Sequence, residues 1–219
     1  MPISVQSFTI YHSANAYLGT VLLRRELAAS AADVLLTRRP IFIPRERGVL
    51  VAEMLGGREN RNAGSYNRED CRRWADLHDI PFHYPTAEVF KERAARWAHS
   101  PWEREELPAR AYYAADIGVR DVLDAALFAA AWEEGLDVNE PETIRWAATR
   151  AGLNGDALLV TAEGDGPGAE ARSALDAFDA HACPEIPTVI VECERFFGKD
   201  RVEWIAEACK KQRQGSIGA

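Results

Sequence analysis

Residues 4–19 read SVQSFTIYHSANAYLG, and this stretch decides the fold of the chain. Over residues 4–11 the side chains alternate between two faces, which predicts a half-buried β-strand. The period then changes, because apolar residues recur at helical spacing and predict a helix over residues 15–28. His12 and Ser13 lie at the corner between the strand and the helix, so they are the first candidates for a functional site.

The remaining strands extend this opening. Residues 33–37 form a short apolar run closed by an Arg-Pro pair, which predicts a second strand. A strand, a helix and a strand in this order predict a right-handed parallel crossover. Near the end of the chain, residues 188–191 predict a buried strand, residues 195–197 a short partner strand, and residues 202–209 a closing helix.

A long helical region separates the two halves of the predicted sheet. Residues 44–66 are rich in Gly, Pro and Asn and predict a long, partly irregular connection, and the turn-rich residues 163–168 predict a surface loop. Helical periodicity is present in five further segments, residues 68–78, 88–97, 119–132, 142–151 and 169–180. The order predicts a thioredoxin-like α/β fold with a large all-helical insertion. Residues 1–60 and 184–219 would form the thioredoxin-like domain around a helical subdomain of residues 61–183.

Composition and charge narrow the classes of function. The 219 residues carry a net charge of −8, so nucleic-acid binding is not expected. No apolar run reaches membrane-spanning length and residues 1–20 do not resemble a secretory signal, which favours a cytoplasmic protein without a membrane partner. The four cysteines are not spaced as a redox pair or a zinc knuckle, so free thiols and no metal site are expected.

The corner at residues 12–17 departs from what the predicted fold usually carries there. In a thioredoxin-type fold this corner holds the Cys-x-x-Cys pair of dithiol chemistry, but residues 12–17 contain no cysteine. Dithiol exchange is therefore disfavoured, because it requires a pair of cysteines that this corner does not have. The hydroxyl of Ser13, at a helix N-terminus, is suited to holding an anion such as the thiolate of a bound cofactor. The alternative is that Ser13 only caps the first helix.

Several separated segments carry a resemblance to a known family over nearly the full length of the chain. They are residues 13–18, 39–42, 66–75, 80–82, 126–128, 132–138, 186–188 and 197–201. In order and spacing these segments resemble the 2-hydroxychromene-2-carboxylate isomerase family, which belongs to the superfamily of DsbA-like proteins and kappa-class glutathione transferases. No single motif decides the resemblance.

The resemblance implies a function and a set of site residues. It implies a homodimer that isomerises a conjugated aromatic keto acid, a small-molecule substrate, with glutathione as catalytic cofactor. Ser13 would stabilise the glutathione thiolate. Ile186 would pair its backbone with the glutathione backbone beside a cis peptide bond to Pro187. Lys199 and Asp200 would contact the γ-glutamyl end, where Asp200 would accept from the ammonium group.

The chain departs from the family pattern at the presumed cleft. Ala14 and Asn15 stand where the family has proline and tyrosine, and Ala63 stands where it has a lysine. The approach to the cis-proline is also altered over residues 182–185. These departures leave three further functions open: a kappa-like glutathione transferase, a cofactor-free isomerase, and a small-molecule binder without catalysis.

The residues of the predicted cleft also have alternative interpretations. His12, Asn15 and Tyr66 are candidates for contact with the substrate. His12 and Ser13 together suggest a base and a nucleophile, but adjacent side chains rarely point together and the sequence identifies no acid that would orient His12. The Lys199-Asp200 pair can instead simply begin the last helix, where an acidic residue is favourable.

Overall fold

A mixed sheet lies at the centre of the computed structural model, which describes residues 2–30, 33–47 and 58–217. In the described residues its strands follow the order β2-β1-β3-β4. The strands are β1 (Ile3–Thr9), β2 (Val34–Pro40), β3 (Thr188–Val191) and β4 (Glu194–Phe197). β2 runs parallel to β1, and β3 is antiparallel to both β1 and β4. The parallel crossover predicted from the first two strands is therefore confirmed.

Helices make up most of the chain outside the sheet. They are α1 (Ala14–Ala29), α2 (Arg58–Leu77), α3 (Ala87–Trp97), α4 (Glu106–Ala114), α5 (Arg120–Trp132), α6 (Pro141–Arg150), α7 (Gly155–Ala162), α8 (Asp165–Ala180) and α9 (Val202–Ile217). A 3₁₀ turn, Lys199–Arg201, precedes α9. Because α2 to α8 all lie between β2 and β3 in sequence, the predicted thioredoxin-like fold with a helical insertion is confirmed. The exact boundaries of the insertion stay a prediction.

The sheet is covered on both faces. Val5 packs with Leu23 of α1 and Ile205 of α9 in one apolar cluster. Phe8, on the opposite face of β1, belongs to a larger cluster that extends through the helical insertion. Even the polar Ser7 is buried. The sequence predicted a half-buried strand, but β1 is more deeply buried than that because helices cover both of its faces.

Some helices begin where the sequence predicts a loop. The predicted loop at residues 163–168 contains the first turn of α8, where Pro167 is tolerated because first-turn amides need no intrahelical acceptor. α2 begins at Arg58, ten residues before the predicted start at Arg68, so the end of the predicted irregular connection is helical. Residues 48–57 of that connection lie outside the described residues.

α1 approaches the C-terminal part of the fold closely. A Cβ atom added at Gly19 would lie 3.2 Å from Cα of Lys199 and 3.4 Å from Cγ of Pro187. The absence of a side chain at Gly19 thus lets the helix contact this segment. The peptide bond from Ile186 to Pro187 is cis, as predicted. In the part of the chain that the structure describes, no helix has both the length and the apolar character needed to cross a membrane.

Candidate functional site

Ser13 forms the N-cap of α1. Its backbone is extended (φ −96°, ψ 112°), and its Oγ accepts a hydrogen bond from the Ala16 amide at 3.2 Å. Ser13 is therefore a helix cap, as one of the two interpretations predicted. The cap uses the oxygen as an acceptor and leaves the hydroxyl proton free to donate. The amides of Ala14 and Asn15 in the first turn have no intrahelical acceptor. Together with the Ser13 hydroxyl they can donate hydrogen bonds to an anion.

Asn15 connects the first turn of α1 to α2. Its Nδ2 donates to Asn67 Oδ1 at 3.0 Å, and its Oδ1 lies 3.4 Å from the Cys71 sulfur, which donates to it. Burial raises the pKa of Cys71 to about 11, so this thiol is not an activated nucleophile. Tyr66, the other cleft candidate on α2, is 63% exposed.

The segment around the cis-proline is partly engaged by its own neighbours. The Ile186 amide donates to Glu185 Oε1 at 3.1 Å, and the Gly198 amide donates to the Pro187 carbonyl at 3.0 Å. The backbone N–H of Ile186, which the resemblance assigns to glutathione, is thus held by a carboxylate. A ligand that pairs with this N–H must first displace Glu185.

Lys199 and Asp200 have different surroundings. The Lys199 ammonium is buried, lies 2.5 Å from Asp70 Oδ2 of α2, and stands 5.4 Å from the ring centre of Trp74. Asp200 is exposed and pairs with Arg201 beside it. Both residues belong to the 3₁₀ turn before α9, as the alternative interpretation predicted. Lys199 therefore ties α2 to this turn, whereas the Asp200 carboxylate stays accessible.

The acid that the sequence did not reveal for His12 is Glu105. The Glu105 side chain is completely buried, and its Oε1 pairs with His12 Nδ1. Its second oxygen, Oε2, accepts from the Tyr11 amide at 2.9 Å and from the His12 amide at 3.2 Å. One carboxylate therefore fixes both the imidazole and the backbone of the corner.

A second carboxylate and an amide complete the surroundings of His12. Its Nε2 lies 3.4 Å from Asp137 Oδ1. Asn139 Nδ2 lies 3.2 Å from His12 Nδ1, and Asn139 Oδ1 accepts from the Glu105 amide at 2.9 Å. The His12 side chain is only 9% exposed. These four residues form one buried polar cluster, which we call the His12 cluster.

The electrostatics of the His12 cluster keep its acids ionised. Burial by itself raises the pKa of Glu105 and of Asp137. The interaction of each acid with His12 acts against burial, and the net pKa of each acid lies below its ordinary value. Both groups are therefore carboxylates at neutral pH, and the imidazole between them is oriented from two sides.

The sequence contained only one signal for the His12 cluster. Asp137 lies in one of the segments that carry the family resemblance, residues 132–138. Glu105 lies in no such segment, and it is separated from His12 by 93 positions. Among the described residues, no group of His, Cys, Asp and Glu side chains could hold a metal ion.

Comparisons with known proteins give the wider context of this geometry. The family model for the DSBA-like thioredoxin domain matches residues 5–210. No curated protein matches the chain. A solved 2-hydroxychromene-2-carboxylate isomerase has 21% identity and a TM-score of 0.70, with 99% of this chain and 99% of that chain covered.

Two other solved structures are similar in fold. A probable DsbA oxidoreductase from Streptomyces coelicolor has 14% identity and a TM-score of 0.74, with 95% of this chain and 89% of that chain covered. The cytosolic disulfide reductase DsbM from Pseudomonas aeruginosa, solved with GSH, has 14% identity and a TM-score of 0.60, with 99% of this chain and 100% of that chain covered. At these identities the likeness establishes the fold alone.

Proposed function

The chain belongs to the DSBA-like thioredoxin domain family, and from this premise we propose that it is an isomerase of a conjugated aromatic keto acid with glutathione as its thiol cofactor. The observation that carries the proposal is Ser13, a hydroxyl donor at the N-terminus of α1 in a corner without cysteine. Solved structures similar in fold include a 2-hydroxychromene-2-carboxylate isomerase that covers 99% of this chain and a disulfide reductase solved with GSH, and both support the proposal.

The residues present fit glutathione best at its thiol end. The Ser13 hydroxyl and the first-turn amides of α1 supply donors for a thiolate, and the positive end of the helix favours its charge. Asp200 is exposed and can accept from the γ-glutamyl ammonium. Ile186 offers its backbone once Glu185 moves aside. Lys199 is already paired with Asp70, so we assign it a structural role.

In this proposal the protein positions groups and stabilises charge. When bound, glutathione would supply a thiolate, a nucleophile whose reversible addition to a conjugated double bond permits rotation about that bond. Ser13 donates its proton in a hydrogen bond to the sulfur, which favours the ionised form of the thiol. Asp200 orients the cofactor from its other end. No proton, electron or group is lost or gained overall, so the reaction is an isomerisation.

Calorimetric titration of glutathione, followed by assays with a benzylidenepyruvate, tests the proposal. We expect saturable binding that weakens in Asp200→Ala, and turnover that requires glutathione and falls in Ser13→Ala. Ser30→Ala, at the opposite end of α1, is the matched control and should leave both unchanged. Absence of binding at millimolar glutathione, or undiminished turnover by Ser13→Ala, contradicts the proposal. A product whose mass is raised by glutathione indicates a kappa-like transferase instead.

The His12 cluster favours a cofactor-free isomerase as the second candidate. An imidazole oriented by Glu105 and Asp137 is a typical group for moving a proton during isomerisation. Turnover in a preparation free of glutathione, abolished by His12→Gln and retained by Ser13→Ala, would favour this candidate over the first.

A further inference from the structure

A small cavity lies beside the His12 cluster, between α3 and the segment after α5. It has a volume of about 40 Å³, and its lining includes His12, Ala94, Trp97 and Asn139. A single water molecule needs about 10–15 Å³ of cavity volume, so about two or three waters fit and a larger ligand does not. We propose that this cavity is a water-filled port through which the buried imidazole of His12 exchanges protons with solvent.

The port is separate from the thiol site at the N-terminus of α1. Neither Ser13 nor the cis-proline segment lines the cavity, whereas His12 does. The inference therefore goes beyond the proposed function and does not depend on glutathione.

Two buried nitrogen atoms on the lining residues need a hydrogen-bond partner. Within the described residues, neither His12 Nε2 nor Trp97 Nε1 makes a hydrogen bond. Buried polar atoms are nearly always paired in native structures, with protein groups or with ordered water. Arg93 and Asn139 add polar groups to the lining, so a water in the cavity has the about two to four polar partners that a buried water usually has.

The partner of His12 Nε2 has to accept a hydrogen bond in one state of the ring and donate one in the other. Glu105 is a carboxylate at neutral pH and can only accept, so the Nδ1 atom that pairs with it carries a proton. The charge of the ring is then decided at Nε2, which donates when it is protonated and accepts when it is not. A carboxylate or a guanidinium serves only one of these states, whereas water serves both.

Asp137 does not take the place of this water. Its Oδ1 lies 3.4 Å from His12 Nε2, too far for a good hydrogen bond, and already accepts from the Asn139 amide at 3.1 Å. Its Oδ2 pairs with Arg96 at 3.1 Å and lies 4.0 Å from Arg93. The carboxylate is thus engaged by other donors, and it stabilises charge near the ring without serving as its proton acceptor.

The cavity extends from the imidazole toward the surface. The His12 side chain is 9% exposed, but Ala94, Trp97 and Arg104 on the other side of the cavity are half-buried. A proton that leaves Nε2 bonds to the adjacent water, which passes one of its own protons on to solvent. The reverse transfer restores the ring, so the path consumes no atom or electron. His12 can therefore gain or lose a proton while its contact with Glu105 stays intact.

Magnetisation transfer from water to the ring proton of His12 and the indole proton of Trp97, measured by NMR on ¹⁵N-labelled protein, tests the inference. We expect transfer to both protons in the wild type. Ala94→Leu fills the cavity without changing a polar group and should slow exchange at His12 Nε2 about tenfold or more, because exchange then requires local opening. Ala95→Leu is the matched control, since Ala95 is exposed and does not line the cavity.

Two results would overturn the inference. Absence of transfer from water to either proton in the wild type would show that the cavity holds no exchanging water. Equal exchange at His12 Nε2 in wild type and Ala94→Leu would show that the proton takes another route. Should overpacking unfold Ala94→Leu, the smaller Ala94→Val is measured instead, with the same two criteria. The Nδ1 resonance of His12 should stay unchanged in the variant measured, because the pairing with Glu105 is not part of the port.

Discussion

Glu105 holds His12 at two points, since one carboxylate oxygen pairs with the imidazole and the other accepts the His12 backbone amide at 3.2 Å. Glu105 itself has a left-handed backbone conformation with φ 68°, which is uncommon for a residue other than glycine. The first corner of the fold is thus oriented by a residue of the helical insertion.

Replacement of Glu105 with Gln should lower the free energy of unfolding by about 2 kcal/mol, because charge-assisted hydrogen bonds of a buried group are lost. Urea denaturation measures the change. Glu142→Gln is the control, since that side chain is 85% exposed and should change stability by less than about 0.5 kcal/mol. Equal stability of the two variants would show that the Glu105 charge contributes nothing.

The pH dependence of the free energy of unfolding should reflect the ionisation of Glu105 and Asp137. The pKa values of Glu105 and Asp137 are lower in the folded protein than their ordinary values of 4.5 and 3.8. Their contribution to stability is therefore complete above those ordinary values and is lost as the pH falls through the lowered ones. We expect the free energy of unfolding to fall less steeply with decreasing pH in Glu105→Gln than in wild type. Denaturation at several pH values measures this slope. Parallel curves would contradict the linkage.

Asp124 should contribute far more to stability than Asp121. Asp124 is 1% exposed and receives hydrogen bonds or ion pairs from Arg24, Arg38 and Tyr11. Asp124→Asn removes the buried carboxylate that Arg24 and Arg38 share, although Arg38 keeps its contact with Asp121, and should cost about 3 kcal/mol. Asp121 also pairs with Arg38 but is 78% exposed, so Asp121→Asn should cost less than about 1 kcal/mol. Similar melting temperatures for both variants would refute this ranking.

Two glycines in first helical turns should respond oppositely to alanine. A Cβ atom at Gly155 would lie 2.8 Å from Cα of Arg145 in α6, so Gly155→Ala should cost about 1–3 kcal/mol through overpacking. A Cβ at Gly166 would meet nothing within 4 Å, so Gly166→Ala should stabilise by about 0.5–1 kcal/mol. Thermal unfolding compares the two variants. A gain in stability at Gly155 would show that α6 and α7 separate easily.

The cysteines should differ strongly in reactivity. Cys193 is exposed, whereas Cys71 and Cys209 are buried and burial raises the pKa of both thiols. Reaction with an aromatic disulfide reagent at pH 8 should therefore show a fast phase from Cys193 that disappears in Cys193→Ser. Cys71 should react only on unfolding. The partly buried Cys183 should react more slowly than Cys193, so an undiminished fast phase in Cys193→Ser would contradict this ranking.

The parts of the fold that the sequence predicts are those with clear periodicity. The apolar run at residues 188–191 forms β3, and the corner at Ser13 is a local helix cap. Neither α4 nor α7 was predicted. Pro108 lies in the first turn of α4, where the missing N–H has no consequence. The first turn of α8 was interpreted as a loop because residues 163–168 are rich in glycine and Pro167 lacks a backbone donor.

The site was less predictable than the fold. Ser13 could be found because a cap depends on residues next to it in sequence. The pairing of His12 with Glu105 joins residues 93 positions apart, and no local pattern encodes such a contact. Asp137 could be suspected from the resemblance.

The backbone of Tyr11 has a consequence for the order of folding. Its amide donates to Glu105, 94 positions later, and its carbonyl accepts from the Trp132 indole, 121 positions later, at 2.7 Å. The corner beside the candidate sites therefore acquires its final shape only after the insertion has packed. Hydrogen exchange at the Tyr11 amide should consequently slow only when α4 and α5 are in place, so this single amide reports the intactness of a distant region.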